Sequence, residues 1–142
     1  MKKISVEWLV KKSHYFKDGD CGGEDVLEFI RVFGTEMEVT EANIIKAHKP
    51  FCRDGMVSFL MTECLWGEKR LKGVAEHLMD SIVKRMYSPC CKDSGELCEA
   101  CQEDIELDLF DHVYYALESL PTKRFAKAFV EIVENSGVEM TM

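Results

Sequence analysis

The longest run of helical periodicity in this sequence lies between positions 97 and 120. Apolar residues recur there at steps of four and three, a spacing that places them on one side of an α-helix. The residues of this apolar stripe are Leu97, Cys101, Ile105, Leu109, Val113, Leu117 and Leu120. Asp93 or Ser94 can cap the start of such a helix, and Pro121 ends it. The spacing therefore predicts one long amphipathic helix.

Six further helices are predicted by the same periodicity, together with capping residues and with glycine or proline at the helix ends. They cover residues 4–12, 25–33, 41–48, 56–66, 68–87 and 122–136. No long alternating stretch indicates a strand, and the segment 37–39 is too short to carry a sheet alone. With 142 residues, the chain is long enough for one domain with its own core. We therefore expect an all-α helical bundle of five to seven helices in a single domain, 1–142.

The negative charge of the chain is concentrated in the long helix and the turn before it. Residues 93–118 contain nine acidic residues and no lysine or arginine, whereas the rest of the chain has 17 acidic and 18 basic residues. This stretch therefore accounts for the net charge of −8. Charged helix faces are most often only solvated surfaces, but an anionic helix also suits a basic protein surface such as a nucleic-acid-binding groove. The candidate partner-binding residues are Glu99, Glu103, Asp104, Glu106, Asp108 and Asp111.

Four of the seven cysteines form a CC-x6-C-x2-C pattern in the turn 87–101, which precedes the acidic helix. Thiolates of Cys90, Cys91, Cys98 and Cys101 could coordinate zinc tetrahedrally if the turn brings them together. Adjacent cysteines rarely point in the same direction, so this pattern is weaker than two separated CxxC pairs. The alternatives are reduced thiols, with Cys101 packed as a small apolar residue, and redox chemistry. Zinc is the one cofactor that the sequence suggests.

Composition and missing motifs disfavour several classes of function. The acidic balance disfavours direct binding of nucleic acid by this chain. No segment is apolar over the length of a bilayer, and no early segment has the pattern of a signal peptide. An odd number of cysteines without a signal peptide indicates reduced thiols in a cytoplasm. Because a glycine-rich phosphate loop, a histidine–carboxylate metal motif and a nucleophile elbow are all missing, we do not expect an enzyme.

Short motifs are scattered over the N-terminal half of the chain. They are Glu7-Trp8-Leu9, Phe29 with Phe33-Gly34, Val39-Thr40-Glu41-Ala42-Asn43, and Phe59-Leu60. In these motifs the segment 4–80 resembles a loosely defined group of small accessory proteins of tailed phages and prophages. The group shares no activity, so the resemblance implies no site residues. It does imply an accessory gene product that acts in the cytoplasm of a bacterial host cell.

Three classes of function remain. The first is a non-enzymatic interaction protein whose acidic helix binds a basic surface, for example an inhibitor of a host-defence enzyme such as a CRISPR or restriction complex. The second is a small zinc-binding structural or regulatory module. The third is an enzyme, which would need two or more histidines converging with carboxylates in one pocket. Stripes rich in methionine and phenylalanine on several helices also allow a homodimer. We expect the first class.

Overall fold

The computed structural model describes residues 2–15, 22–47, 53–85, 96 and 98–142. Within these ranges the chain forms nine α-helices and one small antiparallel sheet of two strands. The predicted all-α class of fold is thereby confirmed. The chain divides into two compact units: a core unit, formed by Met1–Trp66 and Pro121–Met142, and an inserted unit, formed by Gly67–Leu120.

The elements follow one another in a simple order. They are β1 (Lys3–Ser5), α1 (Val6–Lys11), α2 (Gly22–Phe33), β2 (Glu36–Glu38), α3 (Glu41–Ala47), α4 (Arg53–Glu63), α5 (Glu68–His77), α6 (Met79–Arg85), α7 (Glu99–Leu107), α8 (Leu109–Ser119) and α9 (Thr122–Ser136). Helices α5 to α8 belong to the inserted unit, and all other elements belong to the core unit. No helix in the described ranges is long and apolar enough to cross a bilayer.

The first strand is the earliest part of the chain that differs from the prediction. The sequence predicted a helix from position 4, but the helix begins only after Ser5, whose Oγ accepts a hydrogen bond from the backbone N–H of Trp8 at 3.1 Å. The residues before it pair with β2, so that Ile4 lies opposite Met37. The N–H of Ser5 also donates to the carbonyl oxygen of Met140 at 2.9 Å. These partners are distant in sequence, and local periodicity cannot reveal them.

The centre of the core unit is helix α4, which is buried on most of its sides. Its buried residues are Gly55, Met56, Val57, Phe59, Leu60, Met61 and Glu63. Helix α9 packs against α4 and also along α3. The rings of Phe59 and Phe129 stack between α4 and α9 with centroids 6.2 Å apart, and Trp8 meets Phe59 edge-on at 6.3 Å. Gly137 ends α9 in the left-handed conformation, with φ of 71°, as predicted.

The core of the inserted unit is formed by α8 packed against α5 and α6. The sequence predicted one helix over 68–87, but Leu78 separates α5 from α6 with φ and ψ of −98° and 8°. The prediction of a continuous helix is therefore wrong at this position. The residues buried in this unit are Ala75, Leu78, Ile82, Cys101, Ile105, Leu109, Val113, Ala116, Leu117 and Leu120.

Candidate interaction surface

The predicted acidic helix consists of two helices, α7 and α8, which meet at Asp108. The backbone of this residue has φ of −116° and ψ of 40°, outside the helical range. In an α-helix each step of four residues turns the apolar stripe by about 40°. Between Cys101 and Leu117 the stripe would therefore wind by roughly 160° around a straight helix, too far to face one packing surface. The break at Asp108 interrupts this winding, and the stripe residues of both helices are buried. Leu97 lies outside the described residues.

A side-chain contact spans this break. The Nε2 atom of His112 lies 3.2 Å from Oδ2 of Asp104, which is eight residues earlier in the chain. Eight residues of straight α-helix rise about 12 Å, a distance that these two side chains cannot bridge. The contact therefore depends on the break at Asp108. It also means that Asp104, predicted to bind a partner, is engaged by an imidazole of its own chain.

The other five predicted carboxylates are exposed to solvent. They belong to Glu99, Glu103, Glu106, Asp108 and Asp111. In the part of the chain that the structure describes, none of the five forms an ion pair with a lysine or an arginine. On α7 the three glutamates project within a sector of about 60°, on the side away from the buried stripe. We call the exposed side chains of α7 and α8 the acidic surface, and these five carboxylates are the part of it without a lysine or arginine partner among the described residues.

Apolar side chains share the acidic surface with the carboxylates. Leu107 is 83% exposed, and Phe110 and Tyr115 are each 47% exposed. The apolar stripe predicted from the sequence includes none of these three residues. A signal for Leu107 was available, because this residue lies midway between Ile105 and Leu109 and therefore falls off the helical stripe.

The predicted zinc ligands are described only in part. Cys90 and Cys91 lie outside the described residues. Cys98 immediately precedes α7, and Cys101 is buried in the first turn of that helix. Among the residues that the structure describes, no group of three histidine, cysteine, aspartate or glutamate side chains is arranged to hold a metal ion. The zinc site stays a prediction.

Comparison of the chain with models of protein families, with curated proteins and with solved structures finds no match. Any argument about function therefore starts from the acidic surface itself.

Proposed function

We propose that this chain is a non-enzymatic accessory protein, of the phage or prophage type, that binds a basic surface of a host protein through the acidic surface. The observation that carries the proposal is the set of exposed carboxylates without lysine or arginine partners among the described residues. Unpaired surface charge of one sign steers association with a partner of the opposite sign. Surfaces that bind nucleic acid are basic because they contact phosphates.

In this proposal the carboxylates take the place of phosphates and block the nucleic-acid site of the partner. Glu99, Glu103, Glu106, Asp108 and Asp111 carry that role. Asp104 contributes less, since the imidazole of His112 already contacts it. The target must present a basic surface that binds nucleic acid. A host-defence complex, such as a CRISPR or restriction complex, has such a surface.

The test begins with affinity capture from a bacterial lysate and identification of the captured protein by mass spectrometry. Association rates are then measured for the wild-type chain and for a variant with Glu99→Gln, Glu103→Gln, Glu106→Gln and Asp111→Asn. We expect the variant to associate at least tenfold more slowly at low salt and to show a flatter salt dependence, because screening acts on charges that it no longer carries. Nucleic acid should compete with the wild-type chain for the captured protein.

A matched control removes four exposed acids elsewhere in the chain, with Glu41→Gln, Glu76→Gln, Glu131→Gln and Glu134→Gln. This control changes the net charge by the same amount, so it isolates the position of the charge from its total. The proposal is wrong if the two variants associate equally fast at every salt concentration.

A second candidate is a zinc-binding structural or regulatory module, and the placement of two of its four cysteines favours it. Cys98 and Cys101 are three residues apart at the start of α7, a spacing that suits two thiolate ligands of one zinc ion. The proposal is that Cys90 and Cys91 complete the ligand set. Metal analysis of the purified chain should then find one zinc ion per chain, and a chelator should unfold the turn. Less than stoichiometric zinc in protein purified without chelator rejects this candidate.

A further inference from the structure

The acidic surface combines exposed apolar side chains with carboxylates, and this combination restricts what it can bind. Leu107 projects from α7 one helical turn after Glu103 and Asp104, so that two carboxylates flank it. On α8, Asp111 projects between Phe110 and Tyr115. Each exposed apolar group is thus next to negative charge.

The aromatic rings of α8 form one continuous group. The rings of Phe110 and Tyr114 are 6.4 Å apart with an angle of 24° between their planes, and Tyr114 meets Tyr115 edge-on at 5.5 Å. Both ends of this group are open to solvent, because Phe110 and Tyr115 are about half exposed. Aromatic side chains such as Tyr and Phe are enriched in protein interfaces relative to the rest of the surface.

The two kinds of nucleic-acid-binding surface differ in what they offer to such side chains. A protein that binds duplex mainly contacts phosphates and sugars from outside, while the bases remain stacked inside the helix. A protein that binds single strands combines a cationic groove with aromatic platforms on which the bases stack. Carboxylates alone would match the first surface. Carboxylates interleaved with exposed rings and a leucine match the second.

On the basis of the function proposed above, we infer that the acidic surface imitates a single-stranded nucleic acid. Its partner is a protein groove that binds single strands through cationic side chains and stacking platforms. The carboxylates occupy the positions of phosphates, and Leu107, Phe110 and Tyr115 occupy the positions of bases. A second copy of this chain is a poor occupant, because pairing two acidic surfaces would bring uncompensated carboxylates of both copies together.

The test measures the release of host proteins from two matrices, one bearing oligo(dT) and the other bearing duplex DNA of mixed sequence. Both are loaded with a bacterial lysate, the purified chain is added, and the released proteins are quantified by mass spectrometry. The chain is used as wild type, as Leu107→Ala with Phe110→Ala, and as the four-amide variant of Glu99, Glu103, Glu106 and Asp111. The control pair is Val10→Ala with Leu27→Ala, two apolar residues exposed in the core unit.

We expect the wild-type chain to release at least one protein from oligo(dT) and to leave the proteins on duplex in place. The double variant of Leu107 and Phe110 should need at least a tenfold higher concentration for half-maximal release, as expected for two interface anchors. The control pair should behave as wild type. All four side chains are exposed, so circular dichroism should show the same helical content in every variant.

Equal release from both matrices, with no effect of Leu107→Ala and Phe110→Ala, overturns this inference and leaves the charge-based function standing. No release from either matrix also overturns it, and the association rates of the four-amide variant then decide the proposed function separately. Self-association in sedimentation experiments that Leu107→Ala and Phe110→Ala abolish would instead identify a second copy as the occupant, which likewise overturns it.

Discussion

The core unit and the inserted unit are both mainly helical, but they carry charge differently. The core unit contains 14 acidic and 12 basic residues, a net charge of −2, whereas the inserted unit contains 12 acidic and six basic residues, a net charge of −6. In the core unit several acids meet a lysine or an arginine, as in the pairs Lys2–Glu139, Lys3–Glu36, Lys11–Glu7 and Arg31–Glu28. Among the described residues, Glu99, Glu103, Glu106, Asp108 and Asp111 of the acidic surface have no such partner.

The two units therefore differ in how their side chains are distributed between the interior and the surface. Around α4 the core unit buries the rings of Trp8, Phe59 and Phe129, which should contribute much of its stability, whereas Trp66 is 77% exposed. The inserted unit buries one stripe on α7 and α8 and leaves the opposite sides for solvent or for a partner. Substitutions of the buried rings should therefore have large effects on folding, whereas substitutions on the acidic surface should affect folding little and, in the proposed function, should weaken binding.

The largest effect on stability is expected from Phe59→Ala. This ring is buried between Phe129 and Trp8, and its removal leaves a cavity that the neighbouring rings cannot fill. Truncation of a buried phenylalanine typically costs about 3–5 kcal/mol in free energy of unfolding. Urea denaturation followed by circular dichroism measures the change. Phe110→Ala serves as the control, because its ring is half exposed on the inserted unit and its loss should cost much less.

If Phe59→Ala and Phe110→Ala lowered the free energy of unfolding by similar amounts, the expected difference between the two units would be contradicted. It would mean that the ring of Phe110 packs within the protein in solution and is not available to a partner.

A smaller effect is expected for the contact between Asp104 and His112. We expect a double-mutant cycle with Asp104→Asn and His112→Gln to give a coupling free energy of about 0.5–1.5 kcal/mol, the net contribution of a typical side-chain hydrogen bond. The side chain of His112 is 12% exposed and that of Asp104 is 57% exposed. A coupling of zero would show that this contact does not help to maintain the helix break at Asp108.

Local patterns in the sequence were sufficient to predict the class of fold and the burial of the apolar stripe. Cys101, Ile105, Leu109, Val113 and Leu117 are all buried, as their spacing predicted. The same spacing did not reveal the break at Asp108. Apolar residues at steps of four can be buried on one straight helix whose contacts wind around it. They can equally be buried on two shorter helices that each pack along one side. Tertiary packing against α5 and α6 decides between them.

Two other features could not be predicted, and the reason is sequence distance. The pairing of Ile4 with Met37 depends on backbone groups of segments that are far apart in the chain. The division into two units likewise depends on the return of the chain to the core unit at Pro121, which tertiary contacts determine. For the acidic surface, the sequence identified the carboxylates but not the exposed apolar residues, since exposure depends on which side of each helix is covered.

Glu103→Gln should stabilise the protein slightly, whereas the same substitution at Glu131 should not. On α7, Glu103 has Glu99 four residues before it and Glu106 three residues after it, and each like-charge pair costs about 0.2–0.5 kcal/mol. On α9, Glu131 has Lys127 four residues before it and Glu134 three residues after it, so that attraction and repulsion nearly cancel. Urea denaturation at low salt measures both changes. Equal changes at the two positions would contradict the view that the glutamates of α7 repel one another without compensation.

The smallest effect is expected for Glu139, and its sign is opposite to that for Glu103. The ammonium group of Lys2 donates a hydrogen bond to Glu139 at 2.8 Å and lowers the pKa of this carboxyl below its usual value of 4.5. A carboxyl whose pKa is lowered by folding contributes stability above its unfolded-state pKa and loses that contribution as the pH falls through its folded-state pKa. Wild type should therefore melt slightly above Glu139→Gln at pH 6, and the difference should shrink as the pH falls through the folded-state pKa of this carboxyl. A difference in melting temperature that does not shrink on acidification would show that the charge of Glu139 is not its source. In the core unit, then, an exposed carboxylate is stabilised by a nearby cation, whereas on α7 removal of a carboxylate should raise stability because neighbouring carboxylates repel one another.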